Sequence, residues 1–261
     1  MRSLSIAATG MLAQQLNVEV ISNNIANLNT TAFKGQRAEF QDLLYQNERN
    51  VGATSSDSGT IVPVGVQIGS GVKAAAVYRI TTQGNLINTN NPLDLAIQGR
   101  GFFQIEMPDG TTAYTRAGSL QLSATGEIVT ADGYVVQPGV TIPQNTTNIT
   151  VNAAGQVLAQ VAGQTQPQTV GQFQLADFPN EAGLAAQGNN LLTETPASGA
   201  PVTGNPGSTA FGTILQGSLE TSNVNIVSQI TDLITAQRAY EMNSKVIQTS
   251  DQMMSTLSQI Q

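Results

Sequence analysis

LSIAATGMLAQQLNVEVISNNIANL, residues 4–28, carries the pattern from which the fold of this chain is read. Two seven-residue ladders interlock in it: Leu4, Met11, Val18 and Ile25 form one, and Ala7, Gln14, Ile21 and Leu28 the other. Apolar residues at alternating spacings of three and four draw one stripe along an α-helix, the pattern of a coiled-coil seam. The far end of the chain does the same. Ile226, Leu233, Tyr240, Ile247 and Met254 recur at seven, with Ile230, Ala236 and Leu257 between them, and Ala239, Val246, Met253 and Ile260 form a second row alongside. Neither Gly nor Pro occurs from Ser218 onward, and a helix of about 36 residues would be roughly 54 Å long. Ser222 or Asn223 is placed to cap its start.

Neither helix can bury its seam alone, so the spacing predicts that the two ends pair. An intramolecular hairpin in an ordinary globular protein satisfies the pattern. So does a subunit whose second apolar row is covered by other subunits, because a stripe wider than its partner needs further cover. Between the ends the chain changes character. Runs such as Phe102–Ile105, Ile128–Thr130, Tyr134–Val136 and Ile149–Val151 are separated by the turn signals Pro108-Asp109-Gly110, Thr125-Gly126, Ala131-Asp132-Gly133 and Ala153-Ala154-Gly155, which reads as short strands. The expected fold class is α+β: N- and C-terminal helices paired as a coiled coil, with an inserted all-β domain and an extended β-arm. The expected divisions are a coiled-coil helix and turn over 1–34, a connector and arm over 35–85, the β-domain over 86–210, and a connector with the C-terminal helix over 211–261.

Composition narrows the function. Charged residues make up 10% of the 261, against roughly 25% in ordinary soluble proteins, while 27 Gln and 21 Asn fill the gap. An amide-rich surface hydrogen-bonds to a neighbour without desolvating ions, which suits repeated subunit contacts. The net charge of −7 opposes nucleic-acid binding, which needs clustered Lys and Arg. No apolar run reaches the length of about 18 residues that spans a membrane. The first 13 residues are broken by Ser5, Thr9 and Gly10, so they read as mature protein rather than a cleaved signal.

The chain has no His and no Cys, which removes the usual general base, the commonest metal ligand and the strongest nucleophile. Asp109 and Asp132 stand in Asp-Gly turns where Asp is structurally expected, and Asp94 and Glu127 have no better catalytic claim. Ser70-Gly71-Val72-Lys73 matches a Ser-x-x-Lys pattern but lies in an extended stretch instead of at a helix start. Gly99-Arg100-Gly101 runs into a strand and lacks the third glycine of a dinucleotide loop. No catalytic residue, cofactor or metal is expected.

Several longer strings name a family. Asn23-Asn24-Ile25-Ala26-Asn27, followed by Thr30-Thr31-Ala32-Phe33-Lys34, resembles the N-terminal motif of the bacterial flagellar rod and hook axial proteins. Asn91 to Phe103, Tyr114-Thr115-Arg116-Ala117-Gly118-Ser119, Ser222 to Asn225 and Ala236 to Lys245 are similar to later parts of the same family. Within it, Asp42-Leu43-Leu44-Tyr45-Gln46 and the insert Val51–Lys73 resemble the distal rod members; hook and proximal rod members are the nearest alternative, and an extracellular adhesin a weaker one. Ala32 stands where relatives commonly have Gly, so its turn is expected to differ locally if the position needs positive φ. The resemblance implies a non-enzymatic subunit of the basal-body distal rod. It would polymerise with itself into a rigid tube and carry torque across the periplasm to the hook. Hook protein, proximal rod proteins and the surrounding P- and L-ring proteins are its implied partners, and flagellar export without a cleaved signal its implied route. The implied interface residues are Leu4, Met11, Val18, Ile21, Ile25, Leu28, Ile226, Ile230, Leu233, Tyr240, Ile247, Met254 and Leu257. Asn23, Asn24, Ala26, Asn27, Phe33 and Lys34 carry the family motif.

Overall fold

The computed structural model describes residues 2–49, 64–164 and 166–260, with the side chains of Leu257, Gln259 and Ile260 outside that description. The chain divides into two compact units, one of residues 1–26, 36–78 and 225–261 and one of residues 27–35 and 79–224.

In the first unit, helix α1 (Arg2–Ala26) packs against helix α2 (Ile226–Ile260). Asn225 caps α2: its side-chain oxygen accepts from the Val227 and Ser228 N–H groups at 3.0 and 3.3 Å. This differs from the expected cap at Ser222 or Asn223. The Ser222 hydroxyl instead accepts from Val224 N, and the Asn223 side chain is engaged elsewhere, as described below.

The helices run antiparallel. Ser3 Oγ meets Ser250 Oγ at 3.2 Å, and Asn24 Nδ2 donates to Gln229 Oε1 at 2.9 Å. A Cβ on Gly10 would lie 2.8 Å from Asn243 Nδ2. Each advance along α1 is therefore matched by an equal step back along α2, in multiples of seven. Ala7, Ala13, Val20, Ile21 and Asn24 are the buried residues of α1, and Ala236 and Ser250 are buried on α2. Small side chains let the backbones approach, and paired amides satisfy each other where water is excluded. Leu4, Met11, Val18 and Ile25 lie half-buried beside this line of contact.

The rest of this unit is a two-stranded ribbon. Strand β1 (Gln36–Asp42) pairs with β4 (Val72–Arg79), and β2 (Tyr45–Arg49) with β3 (Val66–Gly69). Leu43 N→Gly71 O at 2.9 Å and Ser70 N→Leu44 O at 3.2 Å join the two stretches. The expected arm, Val51–Lys73, falls partly here; its residues 51–63 lie outside the described residues. Three links tie the ribbon to α1. Arg2 pairs with Glu48, Val72 N donates to Thr9 Oγ1 at 3.3 Å, and the Asn24 side chain donates to Gln36 O and accepts from Gln36 N, both at 2.8 Å. At Gly71, φ is +121° and a Cβ would sit 2.2 Å from Thr9 Oγ1, so only glycine fits that crossing.

In the second unit, the strands in chain order are β5 (Leu86–Asn88), β6 (Leu95–Gln98), β7 (Phe102–Glu106), β8 (Thr112–Thr115), β9 (Gln121–Leu122), β10 (Ile128–Val129), β11 (Val135–Val136), β12 (Thr146–Val151), β13 (Gln156–Val161) and β14 (Gln168–Gln172). They continue with β15 (Leu175–Asp177), β16 (Ala185–Gly188), β17 (Leu191–Thr193), β18 (Val202–Gly204), β19 (Thr213–Gln216) and β20 (Ser218–Glu220). A nine-stranded sheet is organised about β7, which pairs with β8, β11 and β15. Strands β12, β13 and β14 form a meander, β6 pairs only with β19, and β5 only with β20. All described pairings with a stated register are antiparallel, as short strands joined by tight turns require. Leu95, Ile97, Phe103, Ile105, Phe173 and Leu175 are central to the core, with Phe103 edge-on to Phe173 at 6.2 Å.

Asn24 holds both helices and the ribbon through one amide, so Asn24→Ala leaves three half-buried partner atoms unpaired. At about 1 kcal/mol per neutral hydrogen bond, the helical unit is expected to lose about 2–3 kcal/mol. Urea denaturation of the full chain, followed by helical circular dichroism, checks this; an unchanged helical transition contradicts it.

Candidate functional site

The chain has no His and no Cys. The residues that stand out are a set of buried charges. Glu220, on β20, is 1% exposed. Its Oε1 accepts from Lys34 Nζ at 2.5 Å and from Gly84 N at 2.9 Å, and its Oε2 accepts from Arg116 Nε at 2.9 Å. The remaining donors of Arg116 reach the carbonyls of Gly101, Ile97 and Gly99 at 3.1, 3.3 and 2.7 Å, and its guanidinium lies 5.8 Å from the centroid of the Phe102 ring. Lys34 also donates to Thr82 O at 2.9 Å.

Local sequence explains the placement. Arg116 leaves the end of β8 directly opposite the Gly99–Gly101 bend, whose two glycines have positive φ and turn carbonyls toward the guanidinium. Gly84 lies so close to the 221–222 backbone that a Cβ would be 2.0 Å from Thr221 O. That approach is what brings its N–H to the carboxylate.

Backbone bonds complete the joint. Ala32 N donates to Glu220 O at 2.8 Å, Asn223 N to Phe33 O at 3.3 Å, and Ile80 N to Gly35 O at 2.8 Å. The Asn223 side chain accepts from Gly35 N at 2.8 Å and donates to Ile80 O and Thr82 O at 2.8 and 3.0 Å. Ala32 adopts φ +56° and is buried. The turn therefore keeps its left-handed form with alanine in place, held by the Glu220 bond, and does not reshape itself.

Electrostatics follow from this geometry. Burial pushes the Glu220 carboxyl up, but the charge of Arg116, the hydrogen bond and charge of Lys34 and the Gly84 N–H outweigh it and hold it below the usual carboxylate range. Burial lowers the Lys34 ammonium, against the pull of Glu220.

The motif strings thus meet in one place: Phe33 and Lys34 from the N-terminal string, Arg116 from the central one and Asn223 from the C-terminal one. Asn24 has its own role between the helices. Thr30 Oγ1 donates to Asn27 Oδ1 at 3.1 Å, while Asn23 and Ala26 are exposed. Glu220 escaped the sequence reading. Its signal was scarcity, since in a chain with so few charges a carboxylate between Leu219 and Thr221 needs a cationic partner.

Of the residues named from the helical ladders, Ile21 is buried, and Leu4, Met11, Val18, Ile25, Leu28, Leu233 and Ile247 are half-buried. Ile226, Ile230, Tyr240 and Met254 are exposed, and the Leu257 side chain is outside the described residues. Val18 and Tyr240 line a groove of about 380 Å³ with Gln15, Glu19, Gln237 and Glu241. Elsewhere, Asp109 accepts from Thr111 N and Oγ1, Asp94 accepts from Asn91, and Ser70 and Lys73 lie in the ribbon. Among the described residues no group of His, Cys, Asp and Glu could hold a metal, and no helix is long and apolar enough to cross a membrane.

Three outcomes follow from this site. Glu220→Ala strands two buried cations and is expected to cost about 3–5 kcal/mol, read by denaturation of the β-rich unit. The folded-state value of Glu220 lies below its ordinary 4.5, so its contribution is present above that pH and is lost as pH falls through the folded value. A Glu220→Gln chain should accordingly show a shallower acid loss of melting temperature, and an identical acid limb contradicts this. Ala32→Gly removes left-handed strain and is expected to stabilise the unit by up to about 1 kcal/mol, seen as a higher melting temperature.

Comparison with known proteins gives three family matches along the chain. Residues 4–34 match the model described as "Flagella basal body rod protein", residues 96–159 the "Flagellar hook protein FlgE/F/G D1 domain", and residues 215–260 the "Flagellar basal body rod FlgEFG protein C-terminal". The flagellar basal-body rod protein FlgG of Caulobacter vibrioides is 62% identical over 260 residues, covering 100% of this chain and 99% of the relative. Its namesake in Borreliella burgdorferi is 46% identical, with 97% and 96% covered, and that of Bacillus subtilis 37% identical, with 98% of each covered. With these relatives 37–62% identical and matched over nearly the whole chain, the chain belongs to the flagellar basal-body rod protein FlgG family.

Proposed function

We propose that this chain is a structural subunit of the flagellar distal rod, one of many copies that polymerise into a rigid helical tube transmitting torque from motor to hook. The observation that carries the reading is the unshared apolar surface of α2. Val227, Ile230 and Ile234 are 71%, 45% and 53% exposed, and Met242, Val246 and Met253 are 66%, 44% and 59% exposed. At about 100° per residue, the first three lie about 120–180° from Ala236 in one sense around the helix, and the second three about 80–120° in the other. Ala236 marks the contact with α1. Each subunit thus offers two apolar flanks that differ in position along the helix, and unlike patches that meet head to tail build open helical assemblies wherever the rotation between neighbours does not close a ring.

The seven-residue register between α1 and α2 supports a coiled-coil pairing at the centre of each subunit. The ribbon around residues 36–49 and 64–79 supports a distal rod subunit over a hook or proximal rod subunit. In this reading the chain is not an enzyme and binds no nucleic acid. Its partners are copies of itself, hook protein, proximal rod proteins and the P- and L-ring proteins, in a structure crossing the periplasm toward the outer membrane.

Val246→Asp tests the proposal, because a half-exposed side chain can be changed with little effect on the lone chain. The expected result is loss of rods and of motility with an unchanged circular dichroism spectrum of the soluble protein. Burial of an unpaired carboxylate at every repeat costs several kcal/mol per subunit. Ala236→Asp should instead disturb the helix pair in the isolated chain. Normal rods from Val246→Asp would refute the assignment of this flank to the subunit interface.

A further inference from the structure

We infer that the segment following α1 and the segment preceding α2 form a clasp that opens and closes as one body, so that freeing either end of the β-rich unit frees the other. Four stretches are involved: residues 31–35, 80–88, 94–99 and 213–223. They come from three separate parts of the sequence, and hydrogen bonds join them to one another. Among the described residues, β6 pairs only with β19 and β5 only with β20, so neither strand keeps a ladder once residues 213–220 leave. Glu220 joins three of the stretches directly, through Lys34, Gly84 and the backbone N–H of Ala32, and reaches the fourth through Arg116, which binds the carbonyls of Ile97 and Gly99. Asn223 adds bonds to Gly35, Ile80 and Thr82.

The contacts are also too close to loosen by degrees. A Cβ on Gly84 would be 2.0 Å from Thr221 O, and one on Gly212 would be 2.4 Å from Gln98 O. Backbone packed on backbone has no side chain that can yield, so the segment is either seated or displaced. Displacement strands the charges of Lys34 and Arg116 and bares Leu95, Ile97 and Ile214, all buried. Each loss removes the reason for the others to remain, which makes the opening cooperative. Strand β12 is tied to this circuit, because Gln216 Oε1 accepts from Val151 N at 3.0 Å and Gln216 Nε2 donates to Ile149 O at 2.9 Å, whereas β13 and β14 carry a ladder of their own. The consequence is a latch: a partner that grips residues 31–35 also releases residues 213–223, with no contact to them.

Amide hydrogen exchange on the full-length chain tests this without requiring polymer, so its outcome is independent of the rod assignment. In Asn223→Ala, exchange is expected to rise in peptides covering all four stretches by one common factor, on the order of tenfold for the lost bonds, while residues 156–161 and 168–172 keep their protection. Glu220→Gln should raise the same four together by a larger factor. If that variant does not fold, Asn223→Ala alone decides the matter. Unequal factors, with residues 31–35 rising while 95–98 and 213–220 stay protected, would overturn the inference. So would an equal rise that includes 156–161 and 168–172, because the clasp would then not be separable from global unfolding.

Discussion

Glu220 is withdrawn from water with both oxygens occupied, and the second unit is arranged around that fact. A buried carboxylate is tolerable only while its partners are in place, and here they come from residues 34, 84 and 116. Their chain positions differ by up to 186 residues. The carboxylate therefore requires that the stretch after α1, the loop before β5, the end of β8 and strand β20 occupy one small volume. The glycines at 84, 99 and 101 follow from the same demand, since carbonyls and N–H groups reach the charges only where no side chain intervenes. In a chain with few ions, this cluster is an expenditure on specificity that apolar packing, tolerant of slippage, does not supply.

The helical unit is governed by a different constraint. The line of contact between α1 and α2 runs through Ser3, Ala7, Gly10, Asn24, Ala236, Asn243 and Ser250. Small and amide side chains bring the helices together and set their register through directional bonds. The larger apolar residues are consequently pushed to the flanks. That displacement connects packing to function: a helix pair that consumed its Ile, Val and Met residues internally would have none left for neighbours.

The strings that resembled a known family were legible because they carry unusual residue orders, and their purpose became visible only in space. Lys34 and Arg116 could be quoted from the sequence, but nothing in their spacing showed that they share one acceptor. Glu220 lies two residues before the stretch, Ser222 to Asn225, that drew notice. The helix cap was read two to three residues early because Ser222, Asn223 and Asn225 have equal capping chemistry. Tertiary bonds to Gly35 and Ile80 engage Asn223, and Asn225 is left to cap α2.

By itself the sequence determined that two amphipathic helices enclose a β-rich middle, because periodicity and turn residues are local properties that act within a few residues. It also determined that no thiolate or imidazole side chain is available, because the chain has no Cys and no His. Tertiary structure alone decided which rung of the seven-residue ladders faces the partner helix. Ladders one residue apart differ by about 100° around the axis, and the choice between them was made by the close approach at Gly10 and the amide bonds of Asn24. It also decided that Ala32 keeps a left-handed turn, because a hydrogen bond to the Glu220 backbone outweighs a strain that local preference alone would have relieved.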